Sequence, residues 1–135
     1  MPNIKFNTRA QVLAITPHTT EKLVALSGNS RVRIQYGQIA GIRVQPAEAF
    51  KFAAAVKARQ QRVISRADVR IPGNAKPDLF LFATAANAIG LELHGHPKYA
   101  AVYFDVANHP PASIAARIQA ELRLAAAVSE ISQNR

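Results

Sequence analysis

The chain has no cysteine. That absence removes disulfide frameworks, thiolate-ligated zinc, redox dithiols and thiol nucleophiles together. Long apolar runs are missing too. The longest, Leu79 to Ile89, is interrupted by Thr84 and Asn87 and falls well short of the ~20 residues a spanning helix needs. Met1 to Gln11 mixes Pro, Asn, Lys and Arg and lacks the apolar centre of a signal peptide, so a soluble protein with no membrane partner is expected, with the cytosol as default compartment. Internal repeats and Gly/Ser linkers are absent, which leaves one α+β domain over residues 1–135 as the expected organisation. Walker loops, dinucleotide fingerprints, nucleophile elbows and calcium loops are also lacking, and no cofactor is expected.

Negative charge is scarcest where positive charge is densest. Nine of the 17 Lys and Arg residues fall between Arg31 and Arg70, opposed there only by Glu48 and Asp68, whereas residues 71–135 hold five of each sign. The formal +9 is therefore regional, and a regional excess gives a directed field able to gather a polyanion. Apolar content reaches 49 %, but 26 of those residues are Ala, which supplies helix propensity more than buried area.

Alternation marks Ile4–Phe6 and Val12–Ile15 as short strands, and Thr19 or Thr20 can cap a two-turn helix stopped at Gly28. Arg31 to Val44 reads as a hairpin. With Gly37, Gln38 and Ile39 as its loop, Val32, Ile34 and Tyr36 share an apolar face with Ala40, Ile42 and Val44, while Arg31, Arg33 and Arg43 line the other. Gln45-Pro46 opens a helix expected to reach Arg62 or Ser65, with Phe52, Val56 and Val63 on one side and Lys51, Arg59, Arg62 and Arg66 on an adjacent basic edge. A short strand at Asp68–Ile71, a strand from Asp78 passing into a short helix, a hairpin of Leu91–His94 with Tyr99–Val106 and a long C-terminal helix after Pro110-Pro111 complete the pattern. That last helix presents Ile114, Ile118, Leu122, Ala125 and Val128 on one face, for its own core or for a second copy in a homodimer.

Two further constellations bear on chemistry. His94, His96, Asp105 and His109 include a His-x-His pair that, on a strand, shares a face and could ligate zinc; as turn residues the same histidines are simply exposed. The run Pro72-Gly73-Asn74, Pro77-Asp78-Leu79-Phe80-Leu81 and Gly90-Leu91-Glu92 resembles the signature of the PD-(D/E)xK nuclease superfamily and is similar to its phage-type members. The resemblance implies magnesium held by Asp78 and Glu92 at adjoining strand ends. His94 stands where that family has its lysine.

The reading is an α+β fold with antiparallel hairpins, a central basic amphipathic helix and a long C-terminal helix. Its expected role is binding of nucleic acid or a nucleoprotein complex through phosphates, by Arg31, Arg33, Arg43, Lys51, Arg59, Arg62 and Arg66. It leans away from an enzyme. The alternatives are a nuclease using Asp78 and Glu92 or a histidine, and a protein-interaction module meeting an acidic protein surface.

Overall fold

The computed structural model of the chain describes residues 3–16, 31–58, 67–69, 73, 75–82, 84–106 and 109–133. They form an α+β fold of two sheets and two helices. β1 (Asn3–Asn7), β2 (Val12–Thr16) and β3 (Val32–Gln35) make an antiparallel three-stranded sheet in that order. β4 (Ile39–Val44), β5 (Ala67–Val69), β6 (Asp78–Leu81), β7 (Ile89–Leu93) and β8 (Ala101–Phe104) make the second, in the order β4-β7-β8-β6-β5. All its pairs are antiparallel except β6 with β8. α1 spans Ala47–Ala58 and α2 Pro111–Gln133.

The second sheet is covered on both sides, which explains its nearly continuous apolar strands. Leu79, Leu81, Leu91, Val102 and Phe104 point into a core shared with Leu13, Ile15, Val32 and Ile34 of the first sheet and Ile114 and Ile118 of α2. Phe80, Phe82, Ala101 and Tyr103 point the other way, against Ala49 and Phe52 of α1. Phe52 and Tyr103 stack on either flank of Phe80, at 4.3 and 4.8 Å between centroids. Gly90 makes room for this layer. A Cβ there would lie 3.0 Å from the Tyr103 ring.

The expected hairpin of Arg31 to Val44 does not form. β3 pairs with β2 and β4 with β7, and a 3-10 turn at Tyr36–Gln38 carries the chain from one sheet to the other. Val32, Ile34 and Tyr36 are buried as their alternation demands. Alternation fixes which face of a strand is buried but not which strand lies beside it, and a strand pair that turns a corner between packed sheets satisfies it equally well. Tyr36 anchors the corner. Its N–H donates to the Gln11 carbonyl at 2.9 Å and its hydroxyl to Glu121 Oε2 at 3.1 Å.

The other expected strands occur within a residue or two of their expected bounds, except that the expected end of the Asp68–Ile71 strand lies outside the described residues, and Ala85–Asn87 is a 3-10 turn where the sequence predicts a short helix. α1 begins where Gln45-Pro46 predicts. Gln45 takes a left-handed φ of 51°, held by its N–H on the Ala88 carbonyl and its side chain on the Ala86 carbonyl. The expected helix near Thr19 and the end of α1 toward Arg62 lie outside the described residues. In α2, Ile114, Ile118 and Ala125 are buried and Leu122 is partly so, but Val128 is 48 % exposed, contrary to expectation. A 23-residue helix is about 35 Å long, whereas strands of three to six residues are roughly 10–20 Å, so no strand matches the full length of the helix.

Candidate functional site

The outer face of the first sheet is built by the same alternation that builds its core. Because Ile4 and Phe6, Leu13 and Ile15, and Val32 and Ile34 turn inward, Lys5, Ala14 and Arg33 turn outward, and the register sets these three in one row across the strands. Lys5 and Arg33 thus flank a methyl group. Arg31 precedes β3 on the same side, and the four line a depression of about 380 Å³. A second hollow, of about 190 Å³, opens beyond the β3 edge and is lined by Arg31, Arg33, His96, Lys98 and Tyr99. Lys5, Arg31, Arg33 and Lys98 are exposed, and no Asp or Glu among the described residues lines either depression.

His96 fixes the geometry between the two hollows. It follows a turn in which Gly95 has φ +75°, and it is 4 % exposed, not an exposed turn residue. Its Nδ1 accepts the backbone N–H groups of Lys98 and Tyr99 at 3.1 and 3.2 Å. That leaves the proton on Nε2, which donates to the Arg33 carbonyl at 3.0 Å. Lys76 caps the His96 carbonyl. The imidazole therefore ties the β3 edge away from β2 to the β7–β8 loop, and Arg33 and Lys98 are presented from one hydrogen-bonded joint.

Arg43 has a different fate. The corner at Tyr36 carries it to the second sheet, away from Arg31 and Arg33. There its Nη1 meets Glu48 at 3.0 Å, its Nε lies 3.3 Å from Glu92, and its Nη2 donates to the Tyr103 hydroxyl at 3.2 Å. Burial works against the Arg43 cation, but the Glu48 and Glu92 carboxylates outweigh it and raise its pKa. Glu48 is held below the usual carboxylate range, first by the backbone N–H at the start of α1 and then by Arg43. Asp78, 4 % exposed, is pushed up by burial and by the Glu48 charge. Burial, then Asp78 and Glu48, push Tyr103 up to about 12.

Asp78 and Glu92 fall in one register row on this face, but their strands do not adjoin, because β8 lies between them with Ala101 in the row. Glu92 turns to Arg43, and His94 is exposed beyond the end of β7. Among the described residues no group of three or more His, Asp or Glu is placed to hold a metal ion. Asp105 is fully buried and accepts the Thr84 N–H at 3.0 Å, while His109 is exposed near the start of α2. Lys51 is exposed on α1; Arg59, Arg62 and Arg66 lie outside the described residues.

Lys5 and Lys98 join Arg31 and Arg33 from strands and loops remote in sequence. The only local signal for Lys5 is its outward place between Ile4 and Phe6. Glu121 was unmarked as well. It is 7 % exposed and accepts from Thr8 at 2.8 Å and from Tyr36, while pairing with Arg117 at 3.2 Å. The Thr8 bond, with help from Tyr36 and Arg117, lowers its pKa against the opposing effect of burial. Burial and the Glu121 bond in turn raise Tyr36 to about 12. Comparison with protein families, curated proteins and solved structures finds no match. No helix among the described residues is long and apolar enough to cross a membrane.

Proposed function

We propose that this protein binds nucleic acid through the outer face of the β1-β2-β3 sheet, by contacts to phosphates and not to bases. The observation that carries the reading is the row Lys5-Ala14-Arg33 with Arg31 and Lys98 beside it, a cationic surface with no acid lining it among the described residues. Arginine suits this task because its planar fork pairs with phosphate in two-point geometry. Phosphate contacts position a ligand and carry no base information. The rings at the margins support the same choice. Phe6 packs on the core beneath the Arg117 guanidinium, 4.9 Å from its ring centre, and Tyr99 is 6 % exposed and stacked on His96, so neither offers a free face to a base.

The test is binding of labelled single- and double-stranded DNA and RNA across a salt series. Affinity should fall steeply with salt, as counterion release requires. The double variant Arg31→Gln, Arg33→Gln should weaken binding at low salt by about tenfold or more while its unfolding midpoint stays with the parent. Parental affinity in that variant, or no binding by the parent to any of the four ligands, overturns the proposal. Binding of an acidic protein in place of all four would assign the surface to a protein partner.

A further inference from the structure

We propose that the phosphate track does not stop at β1 but crosses its edge to the first turns of α2, so that the ligand is an extended backbone lying across the strands from Lys98 to Arg117. The inference rests on the nucleic-acid reading above and adds to it the path and length of the ligand.

Three depressions follow one another, each sharing side chains with the next. Arg31 and Arg33 line both the hollow containing Lys98 and the central depression, and Lys5 and Phe6 line both the central depression and a third, of about 480 Å³, with His109, Ser113 and Arg117. Cations thus succeed one another along the whole path: Lys98, Arg33 with Arg31, Lys5, Arg117. Among the described residues no Asp or Glu lines any of the three. Arg117 is paired with Glu121, but the two are unequally placed. The Arg117 side chain is 59 % exposed and that of Glu121 9 %, so the carboxylate lies beneath while the cation reaches solvent. Phe6 under the guanidinium holds it in place.

Direction follows from the sheet. β1 and β3 are about 10 Å apart across β2, and one further element flanks each edge, so the track runs roughly 20–30 Å. That length corresponds to roughly 6–9 steps of a nucleic-acid strand at 3.4 Å per step. A single nucleotide covers only one of the three depressions.

Ser113 supplies the test because it is exposed, lines the far depression and is the third residue of α2. An acid there favours the helix through its dipole and a cation disfavours it, whereas phosphate prefers the reverse. Binding to a duplex of about 20 base pairs is measured for the parent and for Ser113→Glu, Ser113→Lys and the Arg31→Gln, Arg33→Gln double variant. Ser113→Glu should weaken binding several-fold and lower the slope of log affinity against log salt by about 0.9. Ser113→Lys should raise both, against the trend in helix stability. A dinucleotide, a single step of about 3.4 Å long and too short to reach α2 from the central depression, should bind the Glu variant and the parent alike. If the double variant weakens duplex binding while both Ser113 variants match the parent, the track ends at β1 and this inference fails while the nucleic-acid reading stands. Should the double variant have no effect either, both fall.

Discussion

Arg33 and Arg43 come from one basic block, ten residues apart, and meet opposite environments. On the first sheet Arg33 stands in a row with Lys5 and Ala14, exposed and without an acid lining its depression among the described residues. On the second sheet Arg43 is shared among Glu48, Glu92 and the Tyr103 hydroxyl, on the face that α1 covers. The difference arises at Tyr36, where the chain changes sheets. A positive stretch in sequence therefore divides into cations whose field reaches solvent and a cation spent on neighbouring carboxylates. Only the former can recruit a polyanion.

The largest expected effect tests whether the α1-covered face is structural. Tyr103→Ala removes a ring that is 2 % exposed and stacked on Phe80, and should cost about 3–5 kcal/mol in denaturant unfolding. Nucleic-acid affinity of the folded fraction should be unchanged; a parallel loss of affinity would merge the two regions into one site.

Arg43→Gln comes next. It leaves Glu48, Glu92 and Asp78 without their shared cation. Arg43 is partly exposed, so solvent screening limits the loss to about 1–2 kcal/mol at neutral pH. Because Glu48 is held below its ordinary pKa, its share of that stability is present above the unfolded carboxylate range and is lost as pH falls through the lowered value. The gap between parent and variant should accordingly narrow in acid. A gap constant from neutral to acid pH would show that the ion pairs contribute nothing.

The smallest effect has the opposite sign. Asp78 is raised by burial and by Glu48, so its ionisation costs the folded state stability as pH climbs from the unfolded value through the folded one. Asp78→Asn should remove that cost and stabilise the protein by less than ~1 kcal/mol at neutral pH, with little change in acid. Destabilisation at neutral pH would mean that the carboxylate holds a contact the asparagine cannot replace.

These contrasts also mark how far the sequence could be read. Strand positions were legible because alternation is a local property: Ile4/Phe6, Leu13/Ile15 and Val32/Ile34 each declare a buried face without knowledge of their partners. The long C-terminal helix was legible from its prolines and apolar spacing. Partnership was not. The face that Val32 and Ile34 bury is the same whether β3 pairs with β2 or β4, so alternation alone sets Arg43 beside Arg31 and Arg33, whereas it lies on the other sheet. The burial of His96 is hidden from sequence for a related reason, since it depends on the Arg33 carbonyl, 63 residues away, and on N–H groups freed by a turn at Gly95. Lys5 and Lys98 enter the site through pairings and loops that no short stretch encodes.

On the proposed reading, the cations of the first sheet meet the ligand while Arg43 does not. Its most direct test is the salt dependence of duplex DNA binding for Arg33→Gln and Arg43→Gln, side by side at a temperature where both are folded. Arg33→Gln should lower the slope of log affinity against log salt by about 0.9, one phosphate contact, and Arg43→Gln should leave it at the parental value. Equal loss of slope in the two variants, or loss only in Arg43→Gln, would contradict the account.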